Sequence, residues 1–178
     1  MPLVSVIIPY YKKKPFFEKT LKSVISQTLK DFEIIIIYND TDEDEIKFVK
    51  KLIKKKKKIK LFIKRKKLGA GLARNFGIEK SQGKYIAFLD ADDIWKKNKL
   101  KLQMDFMKLN KFEISHTSYE AIKKEKKIVI KSKSFQNYKD LLKSCDIGLS
   151  TVILKRKILN KYFCFSNLKT KEDFVLWL

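Results

Sequence analysis

The sequence predicts an α/β fold built on a mostly parallel sheet flanked by helices. Three features lead there: an uninterrupted apolar run near the amino terminus, a regular alternation of strand-length and helix-length patterns through the first half, and an acidic cluster, Asp90-Ala91-Asp92-Asp93, directly after the fourth strand-length run. Leu3 to Ile8 is rich in Val and Ile and suits a strand buried on both faces. Phe17, Leu21, Val24, Ile25 and Leu29 then recur at helical spacing, and this amphipathic helix ends before a second buried strand, Phe32 to Ile37. Residues 43–57 repeat the helical pattern through Ile46, Val49, Leu52 and Ile53, and Ile59 to Ile63 alternates Lys with apolar residues as a third strand. A helix from Gly71 to Lys80 leads to the fourth strand, Tyr85 to Leu89. Strands alternating with helices imply parallel pairing through right-handed crossovers, and in such open sheets ligands bind beyond the carboxyl ends of the strands. The loops after Ile8, Ile37, Ile63 and Leu89 are therefore expected to share one rim, bringing Tyr11, Asn39, Asp40, Arg65 and Asp90 to Asp93 together.

The second half is less regular. A helix is expected after Trp95 as far as Asn110, then strands within Phe112 to Val129 around a turn at Lys123 to Lys127. Residues 137–144 and 156–161 suit short helices, separated by a strand at Leu149 to Leu154. No repeat and no Gly/Ser linker divides the chain, so residues 1–178 form one domain with a soft boundary near residue 110.

A chain of 178 residues can bury roughly 70% of the surface its unfolded form exposes. With 44% apolar residues, five Gly and three Pro it is neither disordered nor fibrous, and no apolar run approaches the ~20 residues that span a bilayer. Met1 leads into the first strand without a cleavable signal pattern, and two cysteines, Cys145 and Cys164, suit a reducing compartment, so a cytoplasmic protein is expected. The net charge of +22 favours polyanions or anionic headgroups. Lys nevertheless dominates over Arg and is spread through almost every predicted helix, as on a solvated surface, and the five-lysine run at 54–58 suits a helix carboxyl terminus. A single histidine, His116, argues against a His-rich metal site or a Ser-His-Asp triad, and its alternating surroundings suit a structural or rim residue.

Three carboxylates within four residues repel one another, and a strand end tolerates them when a cation or a set of donors offsets the charge. A hard divalent ion is the natural partner. Mg²⁺ takes one or two protein carboxylates and completes its octahedron with water and phosphate oxygens, and Mn²⁺ also suits oxygen ligands. Asp90 and Asp92 can supply such a partial shell; alternatively, Asp92 and Asp93 cap a helix beginning near Ile94.

The segment Gly69-Ala70-Gly71-Leu72-Ala73-Arg74-Asn75-Phe76-Gly77-Ile78, followed by Gly83-Lys84-Tyr85-Ile86-Ala87-Phe88-Leu89-Asp90-Ala91-Asp92-Asp93-Ile94-Trp95, closely resembles the signature of family 2 glycosyltransferases, which have the Rossmann-like GT-A fold. Val4 to Tyr11 and Glu172 to Trp177 resemble two further blocks of that family in the same order. The resemblance implies inverting transfer of a sugar from a nucleotide diphosphate to an acceptor hydroxyl, with Mg²⁺ or Mn²⁺ as cofactor. It makes Asp92 the metal ligand, Asp90 a neighbour of the ribose or the metal, and Arg74 a cationic donor-site residue. Pro9 and Tyr11 fall at nucleotide-binding positions, with Tyr11 stacking on the base. Lys12 stands where Asn is common after that tyrosine, and the usual Asp-Asp pair after the second strand is here Asn39-Asp40. Either Asn39 or Asp40 takes the base contact, and UDP- or dTDP-sugars are favoured because an Asp carboxylate, and equally an Asn amide oxygen, accepts from a uracil or thymine N–H.

Asp173 matches the family's general base, although Thr170-Lys171-Glu172-Asp173 also has the spacing of a helix capping box. Residues 1–110 then form the nucleotide-sugar half and 111–178 a smaller, mixed acceptor-side half. That half is expected to be incomplete, because the apolar run Phe174 to Leu178 makes a helix too short to persist without further turns or a packing partner. The expected acceptor is a saccharide or lipid-linked sugar of cell-envelope polysaccharide or lipopolysaccharide synthesis. The enzyme would meet it at the inner face of the cytoplasmic membrane, in peripheral contact with anionic lipid and without nucleic acid.

Two rival readings use the same features. A basic nucleic-acid or anionic-membrane module without catalysis would draw on the charge and the 12% aromatic residues, but no zinc-finger spacing or RNP-like motif accompanies them. An aspartyl phosphohydrolase of the haloacid dehalogenase type also carries Asp-x-Asp at a strand end. There the motif follows the first strand and precedes Thr or Val, whereas here it follows the fourth and continues as Asp93-Ile94.

Overall fold

The computed structural model describes residues 1–123, 126–134, 138–143, 147–159, 164–168 and 170–177. Its first half follows the expected alternation: β1 (Val4–Tyr10), α1 (Lys14–Ile25), β2 (Phe32–Tyr38), α2 (Glu43–Ile53), β3 (Ile59–Ile63), α3 (Ala70–Lys80) and β4 (Tyr85–Phe88). β1 pairs in parallel with β2 on one side and β4 on the other, and β2 pairs in parallel with β3. The resulting order β3-β2-β1-β4 changes direction at β1, and a crevice opens at such a switch point beyond the strand ends.

Successive residues of β1 and β2 feed two cores. Val6, Ile8, Ile34 and Ile36 pack with Phe17, Leu21 and Val24 of α1 and with Ile46 and Val49 of α2. Ile7, Ile35 and Ile37 face Ala73 of α3, Phe88 and Phe165 on the other side. Burial on both faces is why these strands read as continuous apolar runs. α3 lies so close to the sheet that a Cβ at Gly77 would stand 2.5 Å from Cγ2 of Ile7. Gly77→Ala is therefore expected to lower stability by about 1–3 kcal/mol through overpacking, despite the better helix propensity of Ala. Urea unfolding measures this, and a stability gain would contradict the tight seat of α3.

The second half contains α4 (Lys99–Leu109), β5 (Ile114–Ser115), β6 (Tyr119–Lys123), β7 (Lys126–Ile130), α5 (Tyr138–Lys143), β8 (Ile153–Lys155) and α6 (Glu172–Trp177). β8 runs antiparallel to both β4 and β5 and completes a six-stranded sheet, while β6 and β7 form a separate hairpin.

Several expectations are corrected. Leu149 to Leu154 is not one strand: Leu149–Thr151 is a 3-10 turn that swings Ser150 toward the acidic loop, and pairing begins at Ile153. α2 stops at Ile53, short of residue 57, because stacked ammonium groups repel along a helix and Lys55 takes a left-handed φ of 64°. The expected strand around His116 is interrupted: Ile114 and Ser115 pair with β8, Tyr119 opens the β6–β7 hairpin, and between them Nε2 of His116 hydrogen-bonds with the Lys133 carbonyl at 2.9 Å, a structural role. Arg156–Ile158 is a 3-10 turn, and the rest of the expected helix at 156–161 lies partly outside the described residues, as do Cys145 and Leu178. No described helix is long and apolar enough to cross a membrane.

Candidate active site at the carboxyl rim of the sheet

The loops beyond the parallel strands converge as expected. The Asn39 N–H donates to the Tyr10 carbonyl at 3.0 Å, the Lys64 N–H to the Tyr38 carbonyl at 2.8 Å, and the Leu68 N–H to Oδ1 of Asn39 at 2.6 Å. The Lys67 ammonium stands 4.8 Å from the Tyr11 ring centroid, and Nζ of Lys13 lies 2.6 Å from Oδ2 of Asp92. Arg65 departs from the cluster: it turns outward to Glu43 of α2, with both side chains more than half exposed.

Asp90 to Asp93 form a turn closed by the Asp93 N–H donating to the Asp90 carbonyl at 3.1 Å. α4 begins only at Lys99, so Asp92 and Asp93 do not cap it. The turn and the residues just after it are clipped to α1 and its carboxyl-terminal extension: the Thr20 hydroxyl donates to the Ala91 carbonyl at 3.0 Å, the Trp95 N–H to Oγ of Ser23 at 3.1 Å, and the Gln27 amide to the Lys96 carbonyl at 2.8 Å. On its other side Ser150 accepts the Asp90 N–H at 3.0 Å and donates to Oδ2 of Asp93 at 2.5 Å, while the Trp95 indole N–H donates to the Ser150 carbonyl at 2.7 Å. Asp93 is exposed as a residue, yet the protein crowding its carboxyl raises its pKa; Ser150 opposes the shift, and Asp90 and Asp92 add to it.

Arg74 is the buried centre of the site, its side chain only 4% exposed. Its guanidinium reaches Oδ1 of Asp90 at 2.7 Å and Oε1 of Glu172 at 2.6 Å, and lies 5.3 Å from the Phe165 ring centroid. One cation thus joins α3, the acidic turn and the start of α6. Its Nε is buried without a hydrogen-bond partner among the described residues. Asp173 follows Glu172, and its Oδ1 accepts the Phe174 N–H at 2.9 Å. The capping box does not form: α6 begins at Glu172, so the position before it belongs to Lys171, with φ 59°, and not to Thr170.

The two tyrosines part company. Tyr10 is core, stacked on Tyr38 and edge-on to Phe17, and its hydroxyl donates to Glu45; burial, that bond and the Glu45 charge hold its pKa far above the ordinary range. Tyr11 is half-buried on the rim. Pro9 lies past the last β4 partner of β1, Ile7↔Phe88, where a missing N–H costs that ladder nothing. Asn39 and Asp40 are both buried, but the Asn39 oxygen is taken by Leu68. Asp40 accepts from the Thr41 N–H at 2.7 Å through Oδ1, and its buried Oδ2 has no partner among the described residues.

Sequence reasoning missed Lys13, Ser150 and Glu172. Glu172 was within reach, since it stands beside Asp173 in a recognisable block; Lys13 and Ser150 carry no local signal. Among the described residues no group of three or more His, Cys, Asp or Glu side chains is disposed to enclose a metal ion. The donor set therefore suits a partial shell, with Asp92 38% exposed and open to ligands from outside the protein.

The model for "Glycosyl transferase family 2" matches residues 5–164. An uncharacterized glycosyltransferase of Rickettsia bellii is 41% identical over 179 residues, covering 98% of this chain and 26% of that protein. The Escherichia coli UDP-Glc:alpha-D-GlcNAc-diphosphoundecaprenol beta-1,3-glucosyltransferase WfgD is 38% identical over 179 residues, covering 99% of this chain and 68% of that protein. Staphylococcus aureus TarS 1-349, solved with UDP-GlcNAc, superposes with a TM-score of 0.80 at 19% identity, covering 97% of this chain and 51% of that one, which establishes the shared GT-A fold. The chain spans 26–29% of the length of its Rickettsia relatives. Signature blocks, sheet order and the match across residues 5–164 agree, and the chain belongs to glycosyl transferase family 2.

Proposed function

We propose that this chain carries the donor site and the general base of an inverting, metal-dependent glycosyltransferase that moves a hexosyl group from a nucleotide-diphosphate sugar to an acceptor hydroxyl. The observation that carries the proposal is the Arg74 clamp, which binds Asp90 on the donor side and, on the other, Glu172, the residue before Asp173. Asp173 takes the acceptor proton as the acceptor oxygen adds to the anomeric carbon; the bond to phosphate breaks on the opposite face, and the centre inverts. Asp92, with Asp90 beside it, would hold Mg²⁺ or Mn²⁺ in a shell completed by water and diphosphate oxygens. When bound, that ion neutralises the charge developing on the diphosphate.

Pro9 and Tyr11 border the nucleotide. Asp40 is the better base reader of the two candidates, because a buried acceptor with no partner is what a uracil or thymine N–H would satisfy, whereas the Asn39 oxygen is occupied. UDP- and dTDP-sugars are the favoured donors, and the UDP-GlcNAc bound by TarS supports that choice. The diphosphoundecaprenol-linked acceptor in the name of WfgD supports a lipid-linked acceptor in cell-envelope polysaccharide synthesis. The charge of +22 suits work at the inner, anionic face of the cytoplasmic membrane.

A thermal-shift screen of UDP-, dTDP-, GDP- and CDP-sugars with and without Mn²⁺ or Mg²⁺ tests this. A ligand at 100 times its Kd stabilises by about 2.7 kcal/mol, which for a domain of this size raises Tm by about 5–10 °C. The largest shift is expected for a UDP- or dTDP-sugar with metal. No metal-dependent shift with any of the four would sink the donor-site assignment.

A further inference from the structure

Two of the three acids of the turn, Asp90 and Asp92, are neutralised in different ways. Asp90 is held by Arg74, a buried guanidinium fixed by a second carboxylate and an aromatic ring. Asp92 is held by Lys13, whose ammonium lies 2.6 Å away, with side chains 40% and 38% exposed. The Arg74 contact is structural; the Lys13 contact is open to exchange with solvent ions.

Lys13 does not reach Asp92 by chance of a loose loop. Its carbonyl accepts the Phe16 and Phe17 N–H groups at 3.0 Å each, so its backbone belongs to the first turn of α1, and Lys12 before it takes a left-handed φ of 49°. Thr20 of α1 bonds to Ala91 in the acidic turn, Ser23 of α1 to Trp95 just after it, and Gln27, past the end of α1, to Lys96. Those three bonds fix the spacing between α1 and the turn, and Lys13 is the outermost contact of the same row, at the solvent-open end. A lysine ammonium is a compact point charge on a flexible stem, suited to being displaced and redirected, which a bidentate arginine is not.

We propose that Lys13 is the resident counter-cation of Asp92: it pairs with the carboxylate until a divalent ion takes its place, and then turns to the donor diphosphate. This rests on the donor-site assignment above. It makes Lys13 a positioning residue that sets how strongly nucleotide binding depends on metal. Removing it takes away a competitor for Asp92 and also a cation for the diphosphate, so metal affinity and metal-free nucleotide affinity move in opposite directions. A surface ion pair that only screens Asp92 would tighten metal binding when removed but leave metal-free nucleotide binding unchanged.

The test uses the full chain, with Lys13→Met and Lys13→Arg compared with the wild type. Free Mn²⁺ is followed by electron paramagnetic resonance without nucleotide, and UDP binding by calorimetry in EDTA and in Mn²⁺. Lys13→Met is expected to bind Mn²⁺ about two- to fivefold more tightly, the range for losing a half-exposed ion pair, and to bind UDP in EDTA more weakly by a similar factor. Lys13→Arg, which keeps the charge but can hold Asp92 through two N–H donors, should bind Mn²⁺ no more tightly than the wild type and keep UDP binding in EDTA near the wild-type value. Unchanged or weakened Mn²⁺ binding by a folded Lys13→Met, or unchanged UDP binding in EDTA, overturns the role of Lys13 while leaving the donor site standing. A wild type that binds no UDP in either condition overturns the donor-site assignment itself, and the role of Lys13 with it.

Discussion

Asp173→Asn is expected to lower sugar transfer by about 10²–10⁴-fold while the fold and donor binding persist. The substitution keeps shape and an acceptor oxygen for the Phe174 N–H, which Asp173 now receives at 2.9 Å, so the first turn of α6 loses nothing. α6 is tied to the body of the protein through Glu172 and Arg74, and Leu176 is buried in the core, so its attachment does not depend on the Asp173 charge. What disappears is the carboxylate proposed above to take the acceptor proton. Turnover in the whole protein, paired with thermal unfolding and UDP titration of the variant, measures the effect. A folded variant with unchanged turnover would remove Asp173 from the reaction and leave Glu172 as the next carboxylate to consider.

The parts of this protein legible in the sequence are those whose cause is local. β1 and β2 are buried on both faces and announce themselves as apolar runs, and the alternation with α1 and α2 fixes parallel pairing and a common rim. β5 and β8, at two and three residues, are too short for any periodicity to register, and their places, β8 antiparallel to β4 and β5 antiparallel to β8 at the edge, are set by the sheet that receives them. The site divides in the same manner. Asp90, Asp92 and Arg74 sit in one contiguous motif, but the partnership of Arg74 with Glu172 spans 98 residues and exists only once the chain has folded. Lys13 is one of 42 Lys and Arg residues, so nothing local distinguishes the lysine that meets Asp92 from those that meet water. The preference proposed for Asp40 over Asn39 rests on a long-range bond, the Leu68 N–H that occupies the Asn39 oxygen, and on the unpartnered Oδ2 of Asp40.

Arg74→Met is expected to be the most damaging single change, because it strips the shared cation from two carboxylates at once. Removing one partner of a buried ion pair costs about 3–5 kcal/mol. Asp90 is 39% exposed and recovers part of its hydration, whereas Glu172, at 13%, does not, so a value near the lower end, about 3 kcal/mol, is expected. For a domain of this size that is a Tm loss of about 6–12 °C by differential scanning calorimetry. Arg74→Lys should fall between, since one ammonium cannot bond both acids in the fork geometry of a guanidinium. The cause can be separated from general damage to α3 by a double-mutant cycle with Glu172→Gln. If the penalty is a stranded carboxylate, the second change recovers a large part of the stability lost to the first. It should not recover UDP binding, because the fixed positive charge beside Asp90 is still missing. Recovery of both would make Arg74 a purely structural residue, and recovery of neither would place the damage in the packing of α3 against Phe165.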